Sequence, residues 1–429
     1  MSDLPHRFPV DNAAQIFVNI VSEGETTLSR IAFEMTETVD KDRLQQALEN
    51  VLPHRFPYFQ VYLRPATFSY VLERTTDLPQ VEEDSHYTNR MVDFHSDRFL
   101  FRVRTNGKNI ALELSHILSD GYGTLVLLYT LCAEYLRLGG VKVDDHPLIY
   151  DVNGGVNPQE WECPYTREFS SKGPHVSTPG SAYLPTGEGI PLSRYYNTRY
   201  SLNLEAVREK ARGHRATVSV FLSGLYFWAL QELRCEDVRN GVVKGLRPLR
   251  LQVPVNLRKD YPVISMKNFS YVYTVEWKPQ SAEDTLSLED SIAKVAEGIR
   301  HERHTHSVEN QIRRNLRASQ NFFFRFLPRS IKEFFLGVFY KIFARELFSG
   351  VLTSLGEIRF PSGMDEAIER VDILACNSPV PGRNSTCFGF RGKLEMSIGS
   401  TIKDLRLEQK IEEGLHQLGL SFDADYKRE

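Results

Sequence analysis

Residues 110–123 read IALELSHILSDGYG, and they join a strand pattern to a helix pattern through a short polar turn. Every second residue at its start is apolar, as one side of a buried strand requires: Ile110, Leu112 and Leu114. His116 falls on the same side, at or just past the end of the strand. Asp120 and Gly121 follow, and an apolar helix pattern begins behind them. A turn at a strand end is where a fold presents side chains to a cleft, so this stretch is the first candidate site.

His116 is the residue in this stretch with the most useful chemistry. An unperturbed imidazole titrates near neutrality and takes up a proton at physiological pH, which suits a general base. Asp120 would fix the turn by pairing with a cation, and Gly121 would allow a backbone angle closed to other residues. A buried histidine satisfied by hydrogen bonds beside an Asp-Gly turn explains the same residues. From the residues alone, both interpretations stay open.

The rest of the chain mixes strand and helix patterns. In the first part, a strand is predicted at 28–39, a helix capped by Asp40, a hairpin of 99–104 with 109–115, and a helix over 122–138. In the second part, helices are predicted at 217–233, 284–318, 329–347 and 405–418. Strands are predicted at 250–256, 269–277, 351–358, 371–376, 386–390 and 393–401. This mixture predicts an α/β or α+β class with two domains of similar architecture.

A change in composition suggests where the two parts meet. From Pro164 to Ser193, 17 of 30 residues are Pro, Gly, Ser or Thr, which is typical of a linker or crossing loop. We therefore expect an N-terminal half at 1–163, a linker at 164–193 and a C-terminal half at 194–429. Each half has the size of one domain.

Composition excludes several classes of protein. The 429 residues are 41% hydrophobic and 25% charged, as in an ordinary globular chain, and the formal charge is −3, which argues against nucleic acid as the partner. The first residues lack a signal-peptide pattern and the apolar runs are too short to span a bilayer, so the expected location is cytoplasmic. The sequence has five cysteines, and they lack CxxC spacing: Cys132, Cys163, Cys235, Cys376 and Cys387. We therefore expect reduced thiols.

Common catalytic motifs are missing from the sequence. There is no GxxxxGK[ST], GxGxxG, GxSxG or HExxH. The run His301-Glu302-Arg303-His304-Thr305-His306 has the wrong spacing for a zinc site on a helix, so a solvated helix face is expected there. We predict no metal and no permanently bound cofactor.

The stretch Ser115-His116-Ile117-Leu118-Ser119-Asp120-Gly121 resembles the HxxxDG signature of an acyltransferase superfamily. That superfamily includes chloramphenicol acetyltransferase, alcohol acetyltransferases, polyketide-associated acyltransferases and nonribosomal condensation domains. The resemblance extends over most of the chain, with further matching segments at 8–11 (FPVD), 253–258 (VPVNLR), 266–269 (MKNF), 353–356 (TSLG) and 388–393 (FGFRGK).

This resemblance implies a fold and a mechanism. Such proteins have two chloramphenicol-acetyltransferase-like halves, each a mixed sheet with flanking helices, and a channel between them. His116 maps onto the base that deprotonates a hydroxyl or amine acceptor, which then attacks an acyl thioester. Asp120 maps onto a structural aspartate paired with an arginine of the second half, for which Arg258 is the candidate. Thr353 and Ser354, and more weakly Ser397, are candidate oxyanion donors.

Departures from the family patterns narrow the expected activity. Condensation domains usually carry a second histidine where Ser115 stands. The superfamily also includes the BAHD plant acyltransferases, and their DFGWG motif is missing here. We therefore expect a stand-alone acyltransferase with acyl-CoA as preferred co-substrate and a small-molecule acceptor. There are two alternatives. One is a condensation-like enzyme that uses carrier-protein-bound substrates, and the other is a catalytically silent binding protein of the same fold.

A second pattern lies in the helix predicted after Pro328. Nine phenylalanines fall between Phe322 and Phe348, and apolar residues recur at 331, 334, 335, 338, 339, 342 and 343. We favour a core-facing helix with a solvated rim. A peripheral membrane or lipid contact through 329–348 and a partner helix are the other interpretations.

Overall fold

The structure is a computed structural model of the chain. It describes residues 4–20, 27–84, 98–174, 179–191, 196–243, 245–321, 326–339, 346–375 and 382–428. Cys376 and the predicted helical residues 340–345 lie outside these ranges.

The strands are β1 Arg7–Pro9, β2 Leu28–Met35, β3 Val61–Pro65, β4 Tyr70–Arg74, β5 Glu82–Glu83, β6 Phe101–Asn106, β7 Asn109–Ser115, β8 Tyr196–Asn203, β9 Leu249–Asn256, β10 Ser270–Trp277, β11 Gly350–Glu357, β12 Ile368–Leu374, β13 Arg383–Phe390, β14 Lys393–Ser400 and β15 Phe422–Arg428. The helices are α1 Ala14–Ile20, α2 Lys41–Arg55, α3 Gly121–Leu138, α4 Pro164–Glu168, α5 Leu204–Gly213, α6 Val218–Arg239, α7 Leu288–His304, α8 Ser307–Gln320, α9 Arg329–Phe339, α10 Met364–Ala367 and α11 Arg406–Gln417. Short 3₁₀ turns lie at Pro158–Glu160 and Leu257–Lys259.

His116 lies next to the centre of the first sheet, just past the end of the central strand. Its order is β12-β2-β7-β6-β5, with antiparallel pairs except for the parallel β5–β6 pair. β6 and β7 form the predicted hairpin, and Gly107 in its turn has a positive φ of 58°. β7 is the central strand and ends at Ser115, so the next residue emerges at the middle of the sheet edge.

The second sheet has seven strands in the order β10-β9-β11-β13-β14-β8-β15. β11 runs parallel to both neighbours, and the other pairs are antiparallel, so this sheet is also mixed. A third, small sheet has the order β1-β4-β3.

Two large apolar cores support the two main sheets. One packs β2, β6 and β7 against α2 and α3, and the other packs the seven-stranded sheet against α6, α7 and α11. The cap predicted at Asp40 is present, since its side chain accepts from amides of the first turn of α2. Thr217, where a helix was predicted to begin, accepts from an amide of the first turn of α6. The architecture is the expected mixture of sheets and flanking helices in two halves.

One strand crosses the expected division of the chain. β12 comes from the second part of the sequence but forms the edge of the first sheet, pairing Val371 with Phe33. Within 164–193, residues 164–168 are helical and Tyr183 is buried, where its hydroxyl donates to Asp237 Oδ2 at 2.7 Å. The boundaries at 163 and 194 remain predictions.

The prediction of a single long helix over 284–318 is wrong. Ser287 caps α7, which ends at His304, and α8 starts at Ser307. His306 between them has a left-handed φ of 50°, a conformation that breaks a helix although no proline marks the position.

The core-facing prediction for the Phe-rich helix is also wrong for the residues the structure describes. Ile331, Phe334 and Phe335 are exposed on α9. The helix is described only to Phe339, and residues 346–348 are not helical, so the predicted end at 347 is too late.

Candidate active site

His116 is the partly exposed residue in a buried turn. Its backbone amide continues the strand pairing by donating to the Thr27 carbonyl at 2.9 Å. The neighbouring residues are buried: Ser115, Ile117, Leu118, Ser119 and Asp120. The fold therefore fixes the backbone on both sides of His116, which is the one partly exposed residue between Ser115 and Asp120.

Two side chains hold the imidazole. The Phe17 ring of α1 stacks on it with centroids 5.0 Å apart, and Asn268 Oδ1 lies 3.4 Å from its Nδ1. Burial lowers the pKa of His116 below its ordinary 6.5, although the Asp120 charge and the hydrogen bonds to Asn268 and the Ser119 backbone act in the opposite direction. A pKa below 6.5 favours the neutral imidazole at physiological pH.

The contacts of Asn268 decide which ring nitrogen carries the proton. Its Nδ2 donates to the His116 carbonyl at 2.8 Å and to Asp11 Oδ2 at 3.0 Å, and both partners only accept. Oδ1 of the amide therefore faces the ring, and an oxygen of this kind only accepts. A hydrogen bond across the 3.4 Å between this oxygen and Nδ1 of His116 therefore requires the proton on Nδ1, a tautomer that carries its lone pair on Nε2.

Asp11 anchors this network from the N-terminal segment. It is buried and its Oδ1 accepts from Ala14 N at 2.7 Å, which caps α1. Burial raises the pKa of Asp11, while the nearby Lys267 ammonium opposes that rise. Lys267 is itself buried and donates to the Pro9 carbonyl at 2.9 Å.

Asp120 and Arg258 are brought together across the two parts of the chain. Arg258 Nη1 lies 2.8 Å from Asp120 Oδ2, and the side chains are 6% and 4% exposed. Asp120 also accepts from Phe269 N at 2.8 Å and from Gly123 N at 3.3 Å. One carboxylate thus ties the start of α3 to the start of β10.

The other N–H groups of the Arg258 guanidinium donate to backbone carbonyls. Nε and Nη2 donate to the Ser265 carbonyl at 3.1 and 2.9 Å, and Nη2 donates to that of Lys267 at 2.5 Å. The guanidinium also lies 4.6 Å from the centre of the Tyr122 ring. These contacts indicate that the pair fixes the turn and the loop before β10.

The prediction that Gly121 needs a special backbone angle is wrong. Its φ is not positive, and an added Cβ would meet Leu355 Cδ2 at an ordinary 3.8 Å. The glycine that the packing requires is Gly123, where a Cβ would lie 2.0 Å from Ser119 Oγ and 2.9 Å from the Met266 carbonyl. Ser119 Oγ donates to that same carbonyl.

The hydroxyl candidates Thr353 and Ser354 lie next to each other on β11 and point to opposite faces of its sheet. Leu355 packs on the core of the first sheet, close to Gly121, whereas Ser354 hydrogen-bonds with the buried Cys387 thiol. Since neighbouring residues of a strand point to opposite faces, Thr353 shares the face of Leu355. This placement favours Thr353 over Ser354 as a donor to the site.

Thr353 belongs to a row of hydroxyls. In the strand register it pairs with Thr386 of β13, which pairs with Ser397 of β14. Ser397 Oγ is buried and has no hydrogen-bond partner among the residues that the structure describes.

Sequence reasoning missed Asn268, Asp11 and Phe17 as site residues. Segments 8–11 and 266–269 were both recognised as resembling the family, which was the available signal. Their contact with His116 depends on pairing residues more than a hundred positions apart, and no local pattern shows that.

Other candidate groups lie elsewhere. His301, His304 and His306 are exposed, and the described part of the chain contains no cluster of three or more possible metal ligands. Of the cysteines, Cys132, Cys163, Cys235 and Cys387 are free thiols. None of the described helices is both long and apolar enough to cross a bilayer.

Comparison with known proteins gives matches in structure but not in sequence. No family profile and no curated protein sequence matches the chain. The fold is similar to polyketide synthase associated protein 5 from Mycobacterium tuberculosis, with a TM-score of 0.61, 15% identity, and coverage of 94% of this chain and 96% of that one.

Two further similar structures come from different kinds of enzyme. F. graminearum TRI101, complexed with coenzyme A and deoxynivalenol, has a TM-score of 0.63, 11% identity, and coverage of 98% of this chain and 100% of that one. The condensation domain of the monacolin K polyketide synthase MokA has a TM-score of 0.57, 13% identity, and coverage of 96% of both chains. The chain therefore has the fold of chloramphenicol-acetyltransferase-like enzymes and condensation domains, along essentially its full length.

Proposed function

We propose that the protein is an acyltransferase of the HxxxDG type, which moves an acyl group from a thioester to a hydroxyl or amine with His116 as general base. One observation carries the proposal. The partly exposed His116 has Asn268 Oδ1 3.4 Å from its Nδ1, an arrangement that favours a neutral ring with Nε2 as the proton acceptor.

The proposed reaction needs only this base and an oxyanion donor. Nε2 takes the proton of the acceptor as its oxygen or nitrogen attacks the thioester carbonyl, forming a tetrahedral oxyanion. The carbon–sulfur bond then breaks, and the imidazolium returns the proton to the leaving thiolate. The products are an ester or amide and a free thiol, with no covalent acyl-enzyme.

The hydroxyl row offers a donor for the oxyanion. Thr353 is the first choice, because it shares the strand face that approaches the His116 turn, and Ser397 is the second. A fixed donor to a developing oxyanion is worth about 10²–10³ in rate. Asp120 and Arg258 act at a distance in this proposal, by holding the turn and the loop that carries Asn268.

Free acyl-CoA is the preferred donor, and ester formation the preferred reaction. The similar TRI101 structure contains coenzyme A, which supports this choice by analogy of fold. A carrier-protein thioester is the alternative donor, since similar structures also include condensation domains.

The test is acceptor-dependent thiol release from acyl-CoAs ranging from acetyl to palmitoyl, with a mixed pool of alcohols and amines. We expect release with one length class, and a loss of about 10²–10⁴-fold in His116→Ala. His146→Ala is the matched control, because His146 also stacks on an aromatic ring, Tyr129, and burial also lowers its pKa.

Each outcome has a distinct meaning. A rate in His116→Ala within about threefold of wild type contradicts His116 as the base. Release from a carrier-bound thioester but from no acyl-CoA would keep the chemistry and change the donor. Release from neither, by a folded protein, would support a binding protein instead.

A further inference from the structure

Helix α9 turns large apolar side chains outward. Ile331, Phe334 and Phe335 are 40%, 67% and 59% exposed, and their spacing of three and four residues places them on one face of the helix. Burying such residues is a main source of folding free energy, so an exposed group of them marks a surface that something else covers.

The exposed face continues onto two neighbouring segments. Phe326 and Phe68, which are 50% and 42% exposed, pack edge to face with centroids 5.7 Å apart. α1 lies against α9, and its Ile16 is 55% exposed. We call these residues the aromatic patch: Ile16, Phe68, Phe326, Ile331, Phe334 and Phe335. They make up six of the thirteen exposed large hydrophobic residues in the described chain.

Polar contacts fix the helix in this orientation. Arg329 N donates to the Thr67 carbonyl at 3.0 Å, and Lys332 Nζ donates to the Phe68 carbonyl at 2.7 Å. On the same turn of the helix, the Tyr70 hydroxyl donates to Glu333 Oε1 at 2.6 Å. The polar side of α9 therefore faces the protein around the β3–β4 turn, which leaves the apolar side outward.

The charge of this segment indicates what covers it. From Phe326 to Phe339 the charged residues are Arg329, Lys332 and Glu333, of which Arg329 and Glu333 pair at 2.9 Å, and the sequence adds Lys341 and Arg345 before the next acid, Glu346. This local positive charge contrasts with the −3 of the whole chain. A second copy of the chain docked on the same patch would bring like charges together. An anionic lipid surface would complement both the aromatic side chains and the cations.

The patch also lies close to the candidate base. Phe17 of α1 stacks on His116, while its neighbour Ile16 is exposed in the patch. A single helix thus separates the imidazole from this surface.

We propose that the aromatic patch binds the surface of an anionic lipid bilayer, with its phenylalanines in the interfacial region. Docking in this way would place the His116 side of the protein next to the membrane. The inference rests on exposure, packing and charge, and it holds whether or not the protein transfers acyl groups.

The test is co-sedimentation of the full-length protein with vesicles of phosphatidylcholine, with and without phosphatidylserine. We expect wild type to bind the phosphatidylserine vesicles, with weaker binding as salt is raised. The double variant Phe334→Ser/Phe335→Ser should lose at least about tenfold in partitioning, because the aromatic side chains supply much of the buried area.

The matched control is Val242→Ser/Leu246→Ser, which removes two exposed hydrophobic residues, 54% and 49% exposed, from the loop after α6. It should bind within about twofold of wild type. No binding by wild type, or equal losses in the two double variants, would overturn the proposal.

Sedimentation velocity separates the main competing occupant. If wild type forms a concentration-dependent dimer that the Phe334→Ser/Phe335→Ser variant abolishes, while neither binds vesicles, the patch is a contact between copies and the proposal is wrong. A Phe334→Trp variant gives an independent readout, since its fluorescence should shift to the blue with phosphatidylserine vesicles. An unchanged spectrum would contradict insertion of this face.

Discussion

The His116 turn and the Phe-rich helix α9 both carry strong sequence patterns, but the fold treats them in opposite ways. The turn is tied to distant segments by Asn268, Arg258 and the Met266 carbonyl, and His116 is its one partly exposed residue. Helix α9 is held along its polar side and leaves its apolar face uncovered. A local pattern thus predicts an element, whereas its neighbours in the fold decide what that element faces.

Breaking the ion pair under the turn should have the largest effect. Arg258→Ala leaves the buried Asp120 carboxylate without its cation, which costs about 3–5 kcal/mol for such a pair. Urea unfolding followed by circular dichroism measures this change. Arg7→Ala is the control, since Arg7 pairs with Glu73 at the surface and should contribute at most about 1 kcal/mol. Equal losses in the two variants would show that the buried pair does not hold the turn.

The next contrast is between Thr353 and Ser354, which are neighbouring residues on opposite faces of β11. Thr353→Val should lower kcat by about 10²-fold, as expected for loss of an oxyanion donor, with little change in unfolding free energy. Ser354→Ala should stay within about threefold of wild type. The reverse ranking, measured by thiol release, would mean that Ser354 faces the reacting carbonyl.

Asn268 links the turn to the rest of the fold, and its loss should disorder the imidazole. Asn268→Ala should lower kcat by about 10²-fold, because small displacements of a catalytic group cost this much. It should also lower the apparent pKa of the base, since the Asn268 hydrogen bond favours the charged ring. Asn50→Ala, which removes a hydrogen bond to Glu134 in α3, is the control. A pH profile of kcat that keeps its midpoint in Asn268→Ala would argue for a purely structural role.

The smallest expected effect is that of a substitution on the exposed face of helix α9. Phe334→Ser should change the free energy of unfolding by less than about 0.5 kcal/mol, because the side chain is exposed. Leu415→Ala in α11, whose apolar face is buried, should cost about 2–5 kcal/mol. Thermal unfolding of the two variants measures both values. A large loss in Phe334→Ser would mean that the patch is part of the folded core.

Much of the fold was predictable because its signals are local. The cap at Asp40, the hairpin around Gly107 and the helix ended by Gly139 all follow from neighbouring residues. The left-handed His306 was not predictable, since no residue type at that position marks a break. β12 joining the first sheet was not predictable either, since it pairs strands more than three hundred residues apart.

The candidate site shows the same division. His116, Asp120 and Arg258 were identified from short motifs and from the resemblance that connects them. Asn268 and the packing role of Gly123 appear only when the loop before β10 is brought against the turn. The motif residues were thus identified from sequence, whereas the roles of Asn268 and Gly123, which depend on contacts between distant segments, were not.

The most direct test of the account is the protonation state of His116 in the free protein. Long-range ¹H–¹⁵N correlation spectra of histidine-labelled protein, assigned with His116→Ala, report the tautomer and the titration midpoint. We predict a proton on Nδ1, a free Nε2 at neutral pH, and a pKa below 6.5, because burial disfavours the charged ring. A proton on Nε2, or a pKa above 6.5, would contradict the claim that the fold holds His116 as a ready base.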